Sequence, residues 1–297
     1  MRKRTKKPRH KGRKSKYLVK NTKWVDSLLR IKELAKTNVK FRHGIPYIPA
    51  SSIAEQYYCE QKVEMSYTVG DVETEAKVEG RAVHDFLLQM EKTTLKDLIR
   101  DIQTKDLYIA CFPIFAHFSD MILVGVPDAI VFVKGVPLFI IELKTTSGNV
   151  SHLWGHEKVQ VGVYGLILDQ MGFDCSKLKL VIIKQKRDVN LINEGYRERF
   201  LYEMLSTLLR KVKPKFPRDM MHLHILSYNR GKVAEDVKWA MDYWLSKREP
   251  IPTRNASKCR SCEYALTCPK SLIEPKPDQN NLEIYKETRQ DHDTPIL

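Results

Sequence analysis

The residues best placed to do chemistry lie between 130 and 148, where the chain reads IVFVKGVPLFIIELKTTSG. Side chains on a strand alternate faces, so Glu142 and Lys144 project together while Leu143 points into a core. Upstream, Gly125-Val126-Pro127-Asp128 puts a second carboxylate on the preceding strand, within reach across a hairpin. Two convergent carboxylates can hold a divalent cation through oxygen, and a neighbouring ammonium can steady an anionic transition state or orient a water. That set suits metal-assisted phosphodiester hydrolysis.

A Glu-x-Lys pair is by itself an ordinary solvated face or cross-strand ion pair. Here the surrounding strand is almost wholly Ile, Leu, Phe and Val, as in a strand buried on both faces, where two charges are costly unless paired or used. Register adds a condition. A regular two-residue turn at Lys134-Gly135 pairs Asp128 with Ile141 and sends the two carboxylates to opposite faces. The site therefore requires a three-residue connection through Val136, or a bulge near Pro127, to shift the pairing by one.

Cys259, Cys262 and Cys268 form a second constellation, followed at once by Pro269, a common ending for iron-sulfur runs. Six cysteines in 297 residues are too few for a disulfide scaffold. Cys59 can supply a fourth ligand if the two ends of the body meet. Tetrahedral zinc is the alternative, although zinc sites usually draw on two Cys-x-x-Cys pairs and this stretch has one.

The elements that must position these groups follow from periodicity. A helix is expected at 23–39, and another begins after a cap at Ser51 or Ser52 and ends near Cys59. Residues 80–90 form a helix carrying His84, which on its face alone is an ordinary core or surface histidine. Residues 107–118 form a strand broken at Pro113, and the hairpin 121–144 follows. The helix 156–170 stacks His156, Gln160 and Tyr164 on one face, either as a polar stripe or over the carboxylates. A strand at 178–186, a helix at 194–212, a strand near 223–228 and a helix at 233–244 complete an α/β body, a mixed sheet flanked by helices.

The formal charge of +15 is concentrated at one end: residues 1–20 hold eleven Lys or Arg and no acid, leaving a balance of +4. Such a block reads as a disordered phosphate-binding tail at 1–22, with a solubility or targeting appendage as the alternative. Residues 23–50 read as a leading helix and loop, 51–270 as the main domain, and 271–297 as a disordered polar tail. No stretch reaches the roughly 18 to 20 apolar residues of a membrane span, and no signal core is visible, so a cytosolic protein is expected.

Taken together, His84, the Gly-Val-Pro-Asp128 turn, Glu142-Leu-Lys144, Gln160-x-x-x-Tyr164, and Cys59 with Cys259, Cys262 and Cys268 resemble the RecB-like branch of the PD-(D/E)XK nucleases. Within it they look most like the CRISPR-associated exonuclease family Cas-four, over about Ser51 to Pro269. The resemblance implies a restriction-endonuclease-like fold and a magnesium- or manganese-dependent exonuclease on single-stranded DNA. It also implies a 4Fe-4S cluster joining the N- and C-terminal parts of the nuclease. By position, His84, Asp128 and Glu142 would ligate the metal, Lys144 would serve the water, and Gln160 and Tyr164 would contact the site or the DNA. The basic tail, the leading helix and the long stretch between Tyr164 and Cys259 depart from compact members, which opens DNA repair or end resection beside CRISPR spacer acquisition with an integrase. Two further alternatives are a DNA-binding module with a decayed site, against which every catalytic position is filled, and a subunit active only when docked on a helicase or integrase.

Overall fold

A computed structural model of the chain describes residues 41–87, 94–187, 193–210, 217 and 219–273. The basic tail at 1–22, most of the leading helix and loop at 23–50 and nearly all of the tail at 271–297 lie outside the described residues.

The strands divide between two sheets rather than one. Strands β1 (Ile48–Pro49), β3 (Ile114–Phe118) and β4 (Met121–Gly125) form a small sheet in the order β1-β4-β3. Strands β2 (Leu107–Ala110), β5 (Ala129–Val133), β6 (Val136–Thr146), β7 (Lys179–Lys186) and β8 (Met221–Ser227) form the larger sheet in the order β2-β5-β6-β7-β8. Only the β6–β7 pair of the larger sheet is parallel, so the sheet is mixed. Pro113 falls between β2 and β3 and separates the sheets there, since proline cannot donate to a ladder.

The helices are α1 (Ala50–Thr68), α2 (Glu75–Leu87), α3 (Leu95–Thr104), α4 (Gly155–Gln170), α5 (Glu194–Arg210), α6 (Arg230–Trp244) and the short α7 (Ala256–Arg260). Helix α4 crosses between the two sheets, and its apolar residues Val161, Val163, Leu166, Ile167 and Leu168 are buried on several sides. An all-round apolar helix of this kind belongs in a core. On the opposite face of the larger sheet a second cluster forms around Val131, Ile141, Val181 and Ile183, with Phe200 and Met204 of α5 covering it. No helix among the described residues is long and apolar enough to cross a membrane.

Three local expectations are corrected. Helix α1 starts at Ala50 after Pro49, with no side-chain cap from Ser51 or Ser52. It does not end at Cys59 but is interrupted there, where φ −171° and ψ 115° are extended backbone. The β5–β6 hairpin keeps its two-residue turn, with Lys134 and Gly135 both at positive φ (52° and 79°), so no three-residue connection through Val136 exists. The register does shift, but at Val131/Phe132 rather than near Pro127. Phe132 pairs with Pro137 and Val131 with Phe139, which leaves Leu138 as the extra residue.

Candidate active site

That bulge brings the acids together. Beyond it the ladder runs Ile130 with Ile140 and Ala129 with Ile141, so the next positions outward are Asp128 and Glu142. Asp128 Oδ2 accepts a 2.6 Å hydrogen bond from the Leu143 amide, which fixes the carboxylate beside β6.

Around Glu142 a compact network closes. Lys144 Nζ donates to Glu142 Oε1 at 2.7 Å and to Gln160 Oε1 at 2.8 Å. The Gln160 amide nitrogen donates to Glu142 Oε1 and to the Tyr164 hydroxyl, both at 2.8 Å. Gln160 and Tyr164, one turn apart on α4, thus lie over the Glu-x-Lys strand. Burial opposes the charge on Lys144, yet the Glu142 carboxylate, with help from Asp128 and Glu157, holds its pKa above the ordinary lysine range. Lys144 is therefore an ammonium at neutral pH, suited to orienting and charge stabilisation rather than to taking a proton. Burial, with the Glu142 charge, likewise pushes the Tyr164 hydroxyl upward, so it stays protonated.

Two residues missing from the sequence-based set support this one. Lys184 stands directly beside Lys144 in the parallel β6–β7 ladder and would repel it, but Lys184 Nζ donates to both oxygens of Glu157, at 2.8 and 3.1 Å. Side chains of this pair are 2% and 7% exposed. Glu157 Oε2 also accepts from the Trp154 amide at 2.9 Å, satisfying an otherwise orphan donor at the start of α4. Like-charge neighbours across a ladder inside a buried strand were the available signal for this pair. His156, beside Glu157, is buried far enough to bring its pKa down to about 4, and its ring meets Tyr58 edge-on at 5.4 Å.

Glycines set the close approaches. A methyl group on Gly125 would stand 2.6 Å from Tyr164 Cε1, so only glycine lets that ring lie against the start of the Val126-Pro127-Asp128 link. On Gly80 it would stand 2.8 Å from Thr145 Oγ1, which docks α2 against the end of β6. His84 lies one turn after Gly80 on α2, and its side chain is outside the described residues. Among the described residues no three His, Cys, Asp or Glu side chains stand so as to hold a metal ion. Asp128 and Glu142 give two oxygen donors of the kind a hard cation takes, and the third named position is the undescribed His84.

Cys59, Cys259, Cys262 and Cys268 line one cavity, with Tyr58, Lys62, Lys258 and Tyr264 around them. Thiols are the donor type of an iron-sulfur or zinc site, but no three of these four are placed here so as to hold a metal ion, so the structure brings them to one cavity without forming the expected cluster site. The chain builds this meeting with ordinary bonds. The interruption of α1 at Cys59 frees backbone groups, and residues 248–258 take them up. Glu60 N donates to Ile251 O at 3.2 Å, Ile251 N to Glu60 Oε2 at 2.8 Å and Thr253 N to Cys59 Sγ at 3.3 Å. Lys258 Nζ donates to the freed Tyr58 carbonyl at 2.7 Å and lies over the Tyr58 ring. Arg248 grips both oxygens of the wholly buried Glu60. Cys175 is buried, its thiol pushed up to about 12 by desolvation first and by Asp169 and Asp174 next. Cys111 does not sit inside the strand at 107–118: it is exposed just past β2, and partial burial first, then the charges of Asp128 and Glu142, push its thiol upward.

Comparison of the sequence with known proteins identifies its superfamily. The profile of the PD-(D/E)XK nuclease superfamily matches residues 53–269. Exonuclease V of Danio rerio is 26% identical over 187 residues, 53% of this chain and 48% of that protein. The mitochondrial exonuclease V of Debaryomyces hansenii is 30% identical over 81 residues, 27% of this chain and 12% of that protein. The match thus spans less than half the length of either curated relative. The crystal structure of SSO0001 aligns over 84% of this chain and 98% of that one, at 14% identity and a TM-score of 0.42. With the superfamily profile covering most of the described body, the chain belongs to the PD-(D/E)XK nuclease superfamily.

Proposed function

We propose that this protein is a divalent-metal-dependent exonuclease that processes single-stranded DNA ends, with an iron-sulfur cluster joining the two ends of its nuclease body. The observation that carries the reading is the meeting of Asp128, Glu142, Lys144 and Gln160, fastened by bonds of 2.6 to 2.8 Å. Asp128 and Glu142, with His84 as the third position, would hold Mg²⁺ or Mn²⁺, which when bound activates a water and neutralises charge developing on phosphorus. Lys144 holds its ammonium at Glu142, where it can orient that water and steady the anionic transition state. Gln160 keeps Lys144 and Glu142 in register by bonding to both, and Tyr164 anchors Gln160.

Cys59, Cys259, Cys262 and Cys268 would hold the 4Fe-4S cluster, which would then link α1 to the 259–268 segment and contribute to the folding free energy. The relatives named exonuclease V support end-directed cleavage, while spacer acquisition with an integrase has no such support. Coupling to a helicase is compatible with this reading and is separated from it by assaying the purified chain alone.

The test is cleavage of end-labelled single-stranded DNA with Mg²⁺ or Mn²⁺. Wild-type protein should shorten the strand from an end, and Glu142→Ala should lose activity by on the order of 10³-fold while retaining DNA binding, because phosphate contacts elsewhere carry affinity. Robust magnesium-dependent cleavage by Glu142→Ala would sink the proposal.

A further inference from the structure

Beside the carboxylates, the small sheet turns an apolar face outward. In its register Pro49 pairs with Val124, and Val124 with Phe115, so the three side chains form one row across β1, β4 and β3. Their neighbours Ile48, Leu123 and Ala116 point the other way and are buried. The outward face of a two-sided sheet is ordinarily polar. Here the row forms part of an open groove of about 330 Å³, walled also by Tyr47, Pro113 and Val126. No lining residue of this groove is charged, in a chain with 51 Lys or Arg and 36 Asp or Glu. Tyr47 and Val126 are 42% and 52% exposed, so apolar surface is left facing solvent.

The groove is continuous with the candidate active site through one side chain. Tyr164 lines it and packs its ring on Gly125, while its hydroxyl accepts the Gln160 hydrogen bond that leads to Glu142. A ligand that lays a phosphate at the carboxylates can therefore extend past Tyr164 over uncharged and aromatic walls. In DNA the extending group is either a sugar or a base, and only the base offers a flat apolar face for Tyr47 and Phe115. Stacking of this kind tolerates any base, since each has a π-face.

We propose that this groove is a base subsite, taking one unpaired nucleobase of the strand whose phosphate lies at Asp128 and Glu142. The inference rests on the nuclease reading and sharpens it: a paired base cannot enter, so the groove selects frayed or single-stranded ends. It also assigns Tyr47 and Phe115 a substrate contact that the motif residues do not supply.

The test has a binding arm and a turnover arm. In Ca²⁺, a single-stranded oligonucleotide with 2-aminopurine near either end should lose fluorescence on binding wild-type protein, and Tyr47→Ala and Phe115→Ala should each restore much of it. With Mg²⁺ or Mn²⁺, both variants should lose on the order of 10-fold in kcat/KM on intact single strands. An abasic nucleotide at the sensitive position should slow wild-type enzyme similarly and the variants hardly at all. Val126→Asp, at an exposed position, is the control for variants that fail to fold and should also weaken the quench. If wild-type protein cleaves DNA but quench and abasic discrimination are unchanged in all three variants, the base subsite is wrong and the nuclease reading stands. If wild-type protein cleaves no DNA, the nuclease reading fails and the quench still decides the groove. Variants that lower the melting temperature of the free protein without altering the quench would mean that the groove is covered by the chain itself, which also overturns the inference.

Discussion

The Asp128 carboxylate is hydrogen-bonded to the Leu143 amide, the residue directly after Glu142, so one acid of the site is fastened to the backbone that carries the other. Its position depends on the extra residue at Leu138 and not on the turn, which is a tight two-residue one. The separation of the two acids is thus set by strand pairing, a rigid part of the fold.

Gln160 should behave as a positioning residue. It bonds to Lys144, Glu142 and Tyr164. Gln160→Ala is expected to lower kcat by roughly 10- to 100-fold with little change in single-strand affinity, since it frees Lys144 without removing a phosphate contact. Steady-state kinetics with a parallel binding titration checks this. A rise in KM alone would argue for a direct DNA contact instead.

Gly125→Ala should push the Tyr164 ring away, because the new methyl would stand 2.6 Å from it. Overpacking of this sort costs about 1 to 3 kcal/mol. Denaturant unfolding should show the loss, and adding Tyr164→Leu should recover stability without recovering activity.

Lys184→Met is predicted to be more damaging than the double change Lys184→Met with Glu157→Leu. Breaking one side of a buried pair leaves an uncompensated charge and costs about 3 to 5 kcal/mol, whereas replacing both sides removes that penalty. The two side chains are 2% and 7% exposed, and Glu157 additionally holds the Trp154 amide, so the double variant should still lose part of the stability. Urea midpoints of the two variants decide the order.

His156 gives a pH dependence of known sign. Its pKa falls from 6.5 to about 4, with burial as the largest cause, while Glu157 opposes the fall and Lys144, Lys258 and Lys184 add to it. The unfolded chain protonates first, so His156 takes stability away progressively as pH drops from 6.5 towards 4 and has no such effect above 6.5. His156→Gln should flatten the melting-temperature profile across that window. An unchanged slope would place the acid sensitivity elsewhere.

The thiols should separate by chemistry. Anaerobically purified protein should be brown, Cys59→Ser should bleach it and lower its melting temperature, and Cys111→Ser should keep the colour. Iodoacetamide should label the exposed Cys111 in native protein but spare Cys175, which is buried with its pKa pushed up to about 12. Colourless protein with stoichiometric zinc would replace the cluster by a tetrahedral zinc site.

Much of the site was legible because its residues break a local rule: Glu142 and Lys144 are charges inside an apolar strand, and Gln160 and Tyr164 repeat at helical spacing. The pairing of Asp128 with Glu142 could be demanded from the sequence but not located, because Leu138 looks like any other apolar strand residue. The division into two sheets was illegible for a related reason, since β4 and β5 are equally apolar and only Val126-Pro127-Asp128 marks the change of sheet. Glu157 and Lys184 escaped because their meeting depends on how α4 lies across β7, a tertiary fact with no periodicity of its own. The break in α1 at Cys59 escaped too, because the groups that compensate it come from the far end of the chain.

That last feature has a bearing on biosynthesis. Glu60 waits for Ile251, 191 residues later, and at 5 to 20 residues per second a ribosome needs roughly 10 to 40 s to deliver it. Until then the partners that Glu60 and the Tyr58 carbonyl find in Arg248, Ile251 and Lys258 are missing, and water must take their place. A chain cut short before residue 248 never acquires these partners, so the break in α1 at Cys59 ties completion of this helix to completion of the whole body.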